Sequence, residues 1–113
     1  MLSSTNIARF DPVRSMLFSS ITNSYTALDI PFEHPMRLLH FINGTDGDLM
    51  ISFNGTDDNI PLLAGGFSLY DLTSNQDTRN SLRYVKNTQL YVKYLTAPTS
   101  GSVYVVTLYS KGE

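Results

Sequence analysis

From about Val13 onward the chain alternates apolar and polar residues in short runs, each cut by a turn signal within about ten residues. No stretch sustains the spacing of an amphipathic helix, so the alternation restricts this chain to short antiparallel strands. In the 36–42 run, Met36, Leu38, His40 and Ile42 share one face, and Arg37, Leu39 and Phe41 share the other. Both faces are partly apolar, which predicts a strand covered on both sides. Asn43-Gly44-Thr45-Asp46-Gly47-Asp48 tolerates positive φ and turns the chain into a strand from Leu49 to Phe53, with Leu49, Ile51 and Phe53 on one face. A second turn, Asn54-Gly55-Thr56-Asp57-Asp58, leads to an edge-like stretch from Ile60 to Leu63 that contains Pro61. After a bend at Ala64-Gly65-Gly66, Phe67, Leu69 and Asp71 alternate with Ser68, Tyr70 and Leu72 in another strand.

Two strong strands close the chain. Leu90, Val92 and Tyr94 share a face in Gln89 to Leu95; Val103, Val105, Thr107 and Tyr109 do so in Ser102 to Tyr109, whose other face, Tyr104, Val106 and Leu108, is apolar too. Residues 97–101, Ala-Pro-Thr-Ser-Gly, are just long enough to join them as a hairpin. Upstream, Ser15 to Ile21 and Ser24 to Ile30 form a pair around Thr22-Asn23. Seven or eight strands at this spacing predict an all-β antiparallel sandwich, jelly-roll-like, as a single domain over residues 13–113. A chain of 113 residues supports one hydrophobic core. Residues 1–12 read as an extended N-terminal arm, because Ser3, Ser4, Thr5 and Asn6 offer little to bury and Pro12 interrupts regular structure. Residues 73–83 are polar and read as an exposed loop.

Composition narrows function. No cysteine is present, which removes disulfides, thiolate nucleophiles and Cys-ligated metals. Lys+Arg 8 against Asp+Glu 10 gives a net charge of −2, without the basic footprint of a nucleic-acid or anionic-membrane binder. Charged residues make up 16%, and the polar surface comes instead from 13 Ser, 11 Thr and 8 Asn. Such a surface is weakly defended against association, which predicts coverage by partners. Nothing resembles a secretory leader or a run of about 20 apolar residues, so the expected site of synthesis and assembly is the cytoplasm.

Candidate chemistry is sparse. His34 and His40 are the two imidazoles, and nothing in the strand pattern converges them with Glu33 into a zinc site; His40 reads as half-buried and His34 as a surface residue before Pro35. No serine lies in a G-x-S-x-G elbow, and Asp46, Asp48, Asp57, Asp58 and Asp71 fall in or beside turns that should be wet, where no raised general-acid pKa is implied. The spacing of a calcium loop is absent, and Ala64-Gly65-Gly66 precedes a strand rather than a phosphate-receiving helix. Asn-Gly-Thr-Asp occurs at 43–46 and again at 54–57, which two similar turns around one strand explain. No catalytic, cofactor or metal residue is assigned. Tyr84, Tyr91 and Tyr94 beside Lys86 and Lys93 form one aromatic-basic cluster, suited to protein contact. The candidate partner contacts are Arg9 and Phe10 on the arm, Arg79 and Arg83 in the loop, and Tyr84, Tyr91 and Lys93.

Taken in order, Arg37-Leu-Leu-His-Phe-Ile-Asn43, Thr45-Asp-Gly-Asp-Leu-Met-Ile-Ser-Phe-Asn-Gly55, Leu63-Ala-Gly-Gly-Phe-Ser-Leu-Tyr-Asp-Leu72, Thr88-Gln-Leu-Tyr-Val-Lys93 and Ala97-Pro-Thr-Ser-Gly-Ser-Val-Tyr104 resemble small virion proteins of tailed bacteriophages. The resemblance covers about two thirds of the chain and marks turns and strands, so it carries over no active site. It implies a non-enzymatic structural component of the virion, present in many copies as a homo-oligomer; capsid, neck or tail proteins and further copies of the chain are the implied partners, with no direct contact to nucleic acid or membrane. Decoration or stabilisation of the head comes first, with the head–tail neck beside it. A tail or baseplate module that recognises a carbohydrate or receptor is the competing reading, and a small enzyme ranks behind both.

Overall fold

The longest apolar alternation makes the longest strand, and the rest of the fold is arranged around it. The computed structural model describes residues 6–72 and 84–112. Nine strands form among them: β1 (Asn6–Phe10), β2 (Arg14–Leu17), β3 (Thr26–Ala27), β4 (Met36–Asn43), β5 (Leu49–Ser52), β6 (Ile60–Leu62), β7 (Phe67–Asp71), β8 (Tyr91–Tyr94) and β9 (Ser102–Gly112). The larger sheet has the order β1-β9-β4-β7, with β2 also on β9; the smaller has the order β3-β8-β5-β6. Every pairing is antiparallel. The molecule is an all-β sandwich.

The inward faces are those that alternation predicts. Val103, Val105 and Thr107 of β9, Leu39 and Phe41 of β4, Leu49 and Ile51 of β5 and Val92 of β8 are fully buried. Each large aliphatic or aromatic side chain withdrawn from water contributes about 1.5–3 kcal/mol. Ile21, Leu28 and Phe32, on the irregular segment between β2 and β4, close the core. A register shift between Met36 and Leu38 turns Met36 inward, alongside Leu39 and Phe41, instead of onto the Leu38 face that strict alternation assigns it.

Three expectations of pairing are corrected. Segments 15–21 and 24–30 do not form a hairpin: β2 lies on β9 in the larger sheet, β3 lies on β8 in the smaller, and Phe18–Ser20 is a 3-10 turn between them. Ile21 and Leu28 must both reach the space between the sheets, which separates the strands flanking them. Likewise β8 and β9 are not partners, and residues 95–101 carry the chain from one sheet to the other. The strand total is nine rather than seven or eight, partly because Asn6–Phe10 pairs with the far half of β9, Ile7 opposite Lys111 and Phe10 opposite Leu108. Asp11 continues the contact by donating its backbone N–H to Thr107 at 3.1 Å, and β2 then takes up pairing nearer the start of β9. Proline 12, with no N–H to donate, marks the break.

Pro61 falls where a strand tolerates it, in β6 at the edge of the smaller sheet. The opposite solution holds at β7, the edge of the larger sheet, whose residues carry neither proline nor lysine.

Candidate functional site

Two of the strings that resemble phage proteins, 43–48 and 97–101, meet in one corner. Asn43 is buried at the end of β4, and its side-chain amide donates to the carbonyls of Gly47 at 2.9 Å, Leu62 at 3.0 Å and Leu63 at 3.2 Å. Its Oδ1 accepts from the backbone N–H and the hydroxyl of Thr45. One amide thus ties the end of the larger sheet to β6 of the smaller. Asp46 reaches the other way: its carboxylate accepts the backbone N–H groups of Thr99 at 2.6 Å and Ser100 at 3.2 Å, and the Thr99 hydroxyl. The Thr99 hydroxyl, followed by these backbone donors, holds Asp46 below its ordinary value of 3.8.

The corner also demands glycine. A Cβ on Gly47 would lie 2.2 Å from the Thr96 carbonyl, and one on Gly101, where φ is +88°, would lie 2.0 Å from the carbonyl of Gly44. Backbone passes against backbone here. The second Asn-Gly-Thr-Asp string behaves differently despite its identical letters. At 54–57 it forms an exposed turn in which the Asn54 Oδ1 accepts from the N–H groups of Thr56 and Asp57. Only the first copy couples the sheets.

Those predicted contact residues that are described do not form one surface. Arg9 and Phe10 sit on β1 and are exposed, whereas Arg79 and Arg83 lie outside the described residues. The aromatic-basic cluster is divided. Tyr84 bridges to Met36 through reciprocal backbone bonds of 2.9 and 2.7 Å, and its half-buried ring stacks on Phe53 with centroids 6.2 Å apart. Burial, followed by charge repulsion from the Tyr70 phenolate, raises its pKa. Tyr94 packs against the core, while Tyr91 and Lys93, alternating with buried Leu90 and Val92, face outward from the smaller sheet.

Lys93 is engaged within the molecule. Its Nζ lies 3.3 Å from Asp58 and 4.7 Å from the centre of the Tyr25 ring, and the Tyr25 hydroxyl donates to the same Asp58 carboxylate. That hydroxyl and then Lys93 lower the pKa of Asp58; desolvation and the neighbouring carboxylate raise that of Tyr25. Tyr25 was not among the sequence candidates, because it pairs with residues 33 and 68 positions away. Among the described residues no group of three or more His, Asp or Glu could hold a metal ion. His34, expected on the surface, is half-buried and stacks flat on Tyr109 with centroids 3.8 Å apart. His40 is half-buried as expected, with the Phe67 ring edge-on at 5.5 Å.

Arg14 is the largest structural surprise. Only 2% exposed, it donates to the carbonyls of Ile30 and Pro31 at 3.0 Å each, to the Thr107 hydroxyl at 3.2 Å and to Asp11 at 3.0 Å. Its guanidinium also lies 5.4 Å from the Phe32 ring centre. It pins the 28–32 segment onto the larger sheet. A single arginine after Pro12-Val13 carries no local signal of such a role, since its acceptors are backbone carbonyls brought in by the fold.

The feature best suited to contact is the outward face of the larger sheet. Opposite the inward positions of β4 and β9 stand Leu38, His40, Ile42 and Val106, all half-buried, the exposed Tyr104, and Leu108, which is itself buried at 9% exposure. Register places Phe67, Ile42 and Tyr104 in one row across the strands, Leu69, His40 and Val106 in the next, and Asp71, Leu38, Leu108 and Phe10 in a third. Phe10 and Phe67 are each 69% exposed, Leu69 51% and Tyr104 39%. The expectation that the 36–42 strand is covered on both sides therefore meets only half its fulfilment within the described residues: the core covers one face, and the other retains exposed apolar neighbours.

No family model and no curated protein matches the chain. Among solved structures, it has a likeness to the crystal structure of SPP1 Dit (gp 19.1), described as a paradigm of the hub adsorption apparatus in phages infecting Gram-positive hosts, at 13% identity and a TM-score of 0.42. The alignment covers 90% of this chain and 49% of that one, so this chain spans about half the length of its neighbour. This weak neighbour is a phage protein; the overlap is too distant to carry an argument about role. No helix among the described residues is long and apolar enough to cross a membrane.

Proposed function

We propose that the chain is a non-enzymatic structural protein of a bacteriophage virion, decorating or stabilising the capsid or attached at the head–tail neck, and built from repeated copies in contact with other virion proteins. The observation that carries this reading is the apolar outward face of the larger sheet, with Phe10 exposed on β1 at one edge and Phe67 and Leu69 on β7 at the other. A large apolar patch on a small domain is suited to coverage by protein. The resemblance of the 43–48 and 97–101 strings to phage virion proteins supports the class of assembly, and the structure gives those strings a shared physical role in joining the sheets.

A second reading, a tail or baseplate module for a carbohydrate or receptor, draws on Tyr25, Tyr91, Asp58 and Lys93 at the smaller sheet. Against it, Asp58 is already engaged by Tyr25 and Lys93, and Asp57 accepts from Asn54. Those carboxylates are committed inside the protein. Mass spectrometry and immunogold labelling of purified particles test the first reading: the chain should co-purify with full particles in many copies, and its absence from particles would refute it. Binding to host envelope polysaccharide that is lost in Tyr25→Ala and Tyr91→Ala would favour the second.

A further inference from the structure

Positions 38–42, 67–71 and 104–108 contain no lysine or arginine, and Asp71, in the corner of the third row, is their only carboxylate. With about 200 Å² for a full aromatic side chain, the exposures of Phe10, Phe67, Leu69 and Tyr104 and their half-buried neighbours amount to roughly 500 Å². That is at the upper end of what a monomer leaves uncovered. Two such faces in contact bury about 1,000 Å², where specific protein interfaces begin. Sheets of the same hand and twist stack face to face about 10 Å apart.

We propose that this outward face packs against the same face of a second copy, forming a two-fold dimer. Self-packing requires a self-complementary patch, and the three rows meet that requirement. With the axis running across the strands through the middle row, Leu69, His40 and Val106 lie over their own counterparts. The Phe67–Ile42–Tyr104 row lies over the partner's Asp71–Leu38–Leu108 row. Neither copy then sets Asp71 against Asp71, each Asp71 stays at the rim on edge strand β7, and no lysine or arginine lies in the rows, whose central polar pair is His40 and its counterpart. A charged foreign surface would instead bury its charge against aliphatic groups.

The dimer deepens the reading of the chain as a virion subunit by naming one of its partners, and the two can fail separately. Sedimentation equilibrium of the purified full chain from about 1 to 100 µM, the upper limit chosen to detect weak contacts, should show a monomer–dimer equilibrium. Leu69→Glu and Phe67→Glu should each weaken it by about 100-fold or more, because a carboxylate would be buried without a partner. Leu69→Lys should do the same, whereas Leu63→Glu, on an exposed leucine outside this face, should leave the dimer unchanged. Far-ultraviolet circular dichroism and a cooperative melt check that the variants fold. A wild-type monomer throughout the range overturns the proposal whatever the variants do, as does a dimer that survives both glutamates with the fold intact. A monomer found in purified particles would overturn the dimer alone, and a dimer missing from particles would overturn the virion reading alone.

Discussion

Asp46 and Arg14 show how differently two charged residues can serve one fold. The Asp46 carboxylate is exposed and acts as a local acceptor for Thr99 and Ser100, its pKa lowered first by the Thr99 hydroxyl. A carboxylate lowered on folding stabilises fully above its unfolded value, and the contribution is lost as pH falls through the lower folded value. The melting-temperature difference between wild type and Asp46→Asn should therefore be largest near neutrality and shrink between about pH 5 and pH 2, as thermal melts across that range would show. Arg14 is buried, and its removal strands Asp11, the Thr107 hydroxyl and two carbonyls. Arg14→Ala should cost about 3 kcal/mol in urea denaturation. Arg14→Lys should recover only part, because an ammonium cannot present the guanidinium's forked donors.

Among the elements, the corner between β4 and β5 determines how the chain changes sheets. Asn43 holds β6, Asp46 holds the 97–101 segment, and Gly47 lets the backbone pass Thr96. Gly101→Ala meets both a positive φ and the Gly44 carbonyl, so it should destabilise by more than about 1 kcal/mol, measured by chemical denaturation. Asn54→Ala, in the twin string at the exposed turn, should cost less than Asn43→Ala, which removes the buried amide that donates to the carbonyls of Gly47 and Leu62 and leaves Gly47 only the Thr45 hydroxyl. A larger loss from the exposed twin would contradict the coupling assigned to the first. The two strings cannot be ranked from their letters, because the difference lies in what the surrounding strands bury.

At the scale of the whole molecule, one core joins the sheets and so should unfold as one unit. Leu49→Ala or Phe41→Ala, each at a fully buried site, should lose about 2–5 kcal/mol, with near- and far-ultraviolet circular dichroism reporting the same transition. Two separated transitions would show that the sheets do not share a single cooperative core. The exposed face of the larger sheet has a different status. It is outside that core, and its side chains are expected to influence association more than folding.

The alternating runs by themselves determined the all-β class, most strand positions and the inward sets Leu49/Ile51, Leu90/Val92 and Val103/Val105/Thr107, because side chains of a strand take opposite faces in turn. Turn residues likewise marked 43–48 and 97–101 in advance. Partner choice was not legible: period-two alternation is satisfied equally by a hairpin and by a crossing to the other sheet, so only tertiary structure separated β2 from β3 and β8 from β9. It alone also placed Arg14 among distant carbonyls, divided the tyrosine cluster and aligned Phe10, Leu69 and Tyr104 on one outward face. The physical reason is the same in each case. Local sequence sets which side of a strand a residue occupies, whereas long-range pairing sets what stands opposite it.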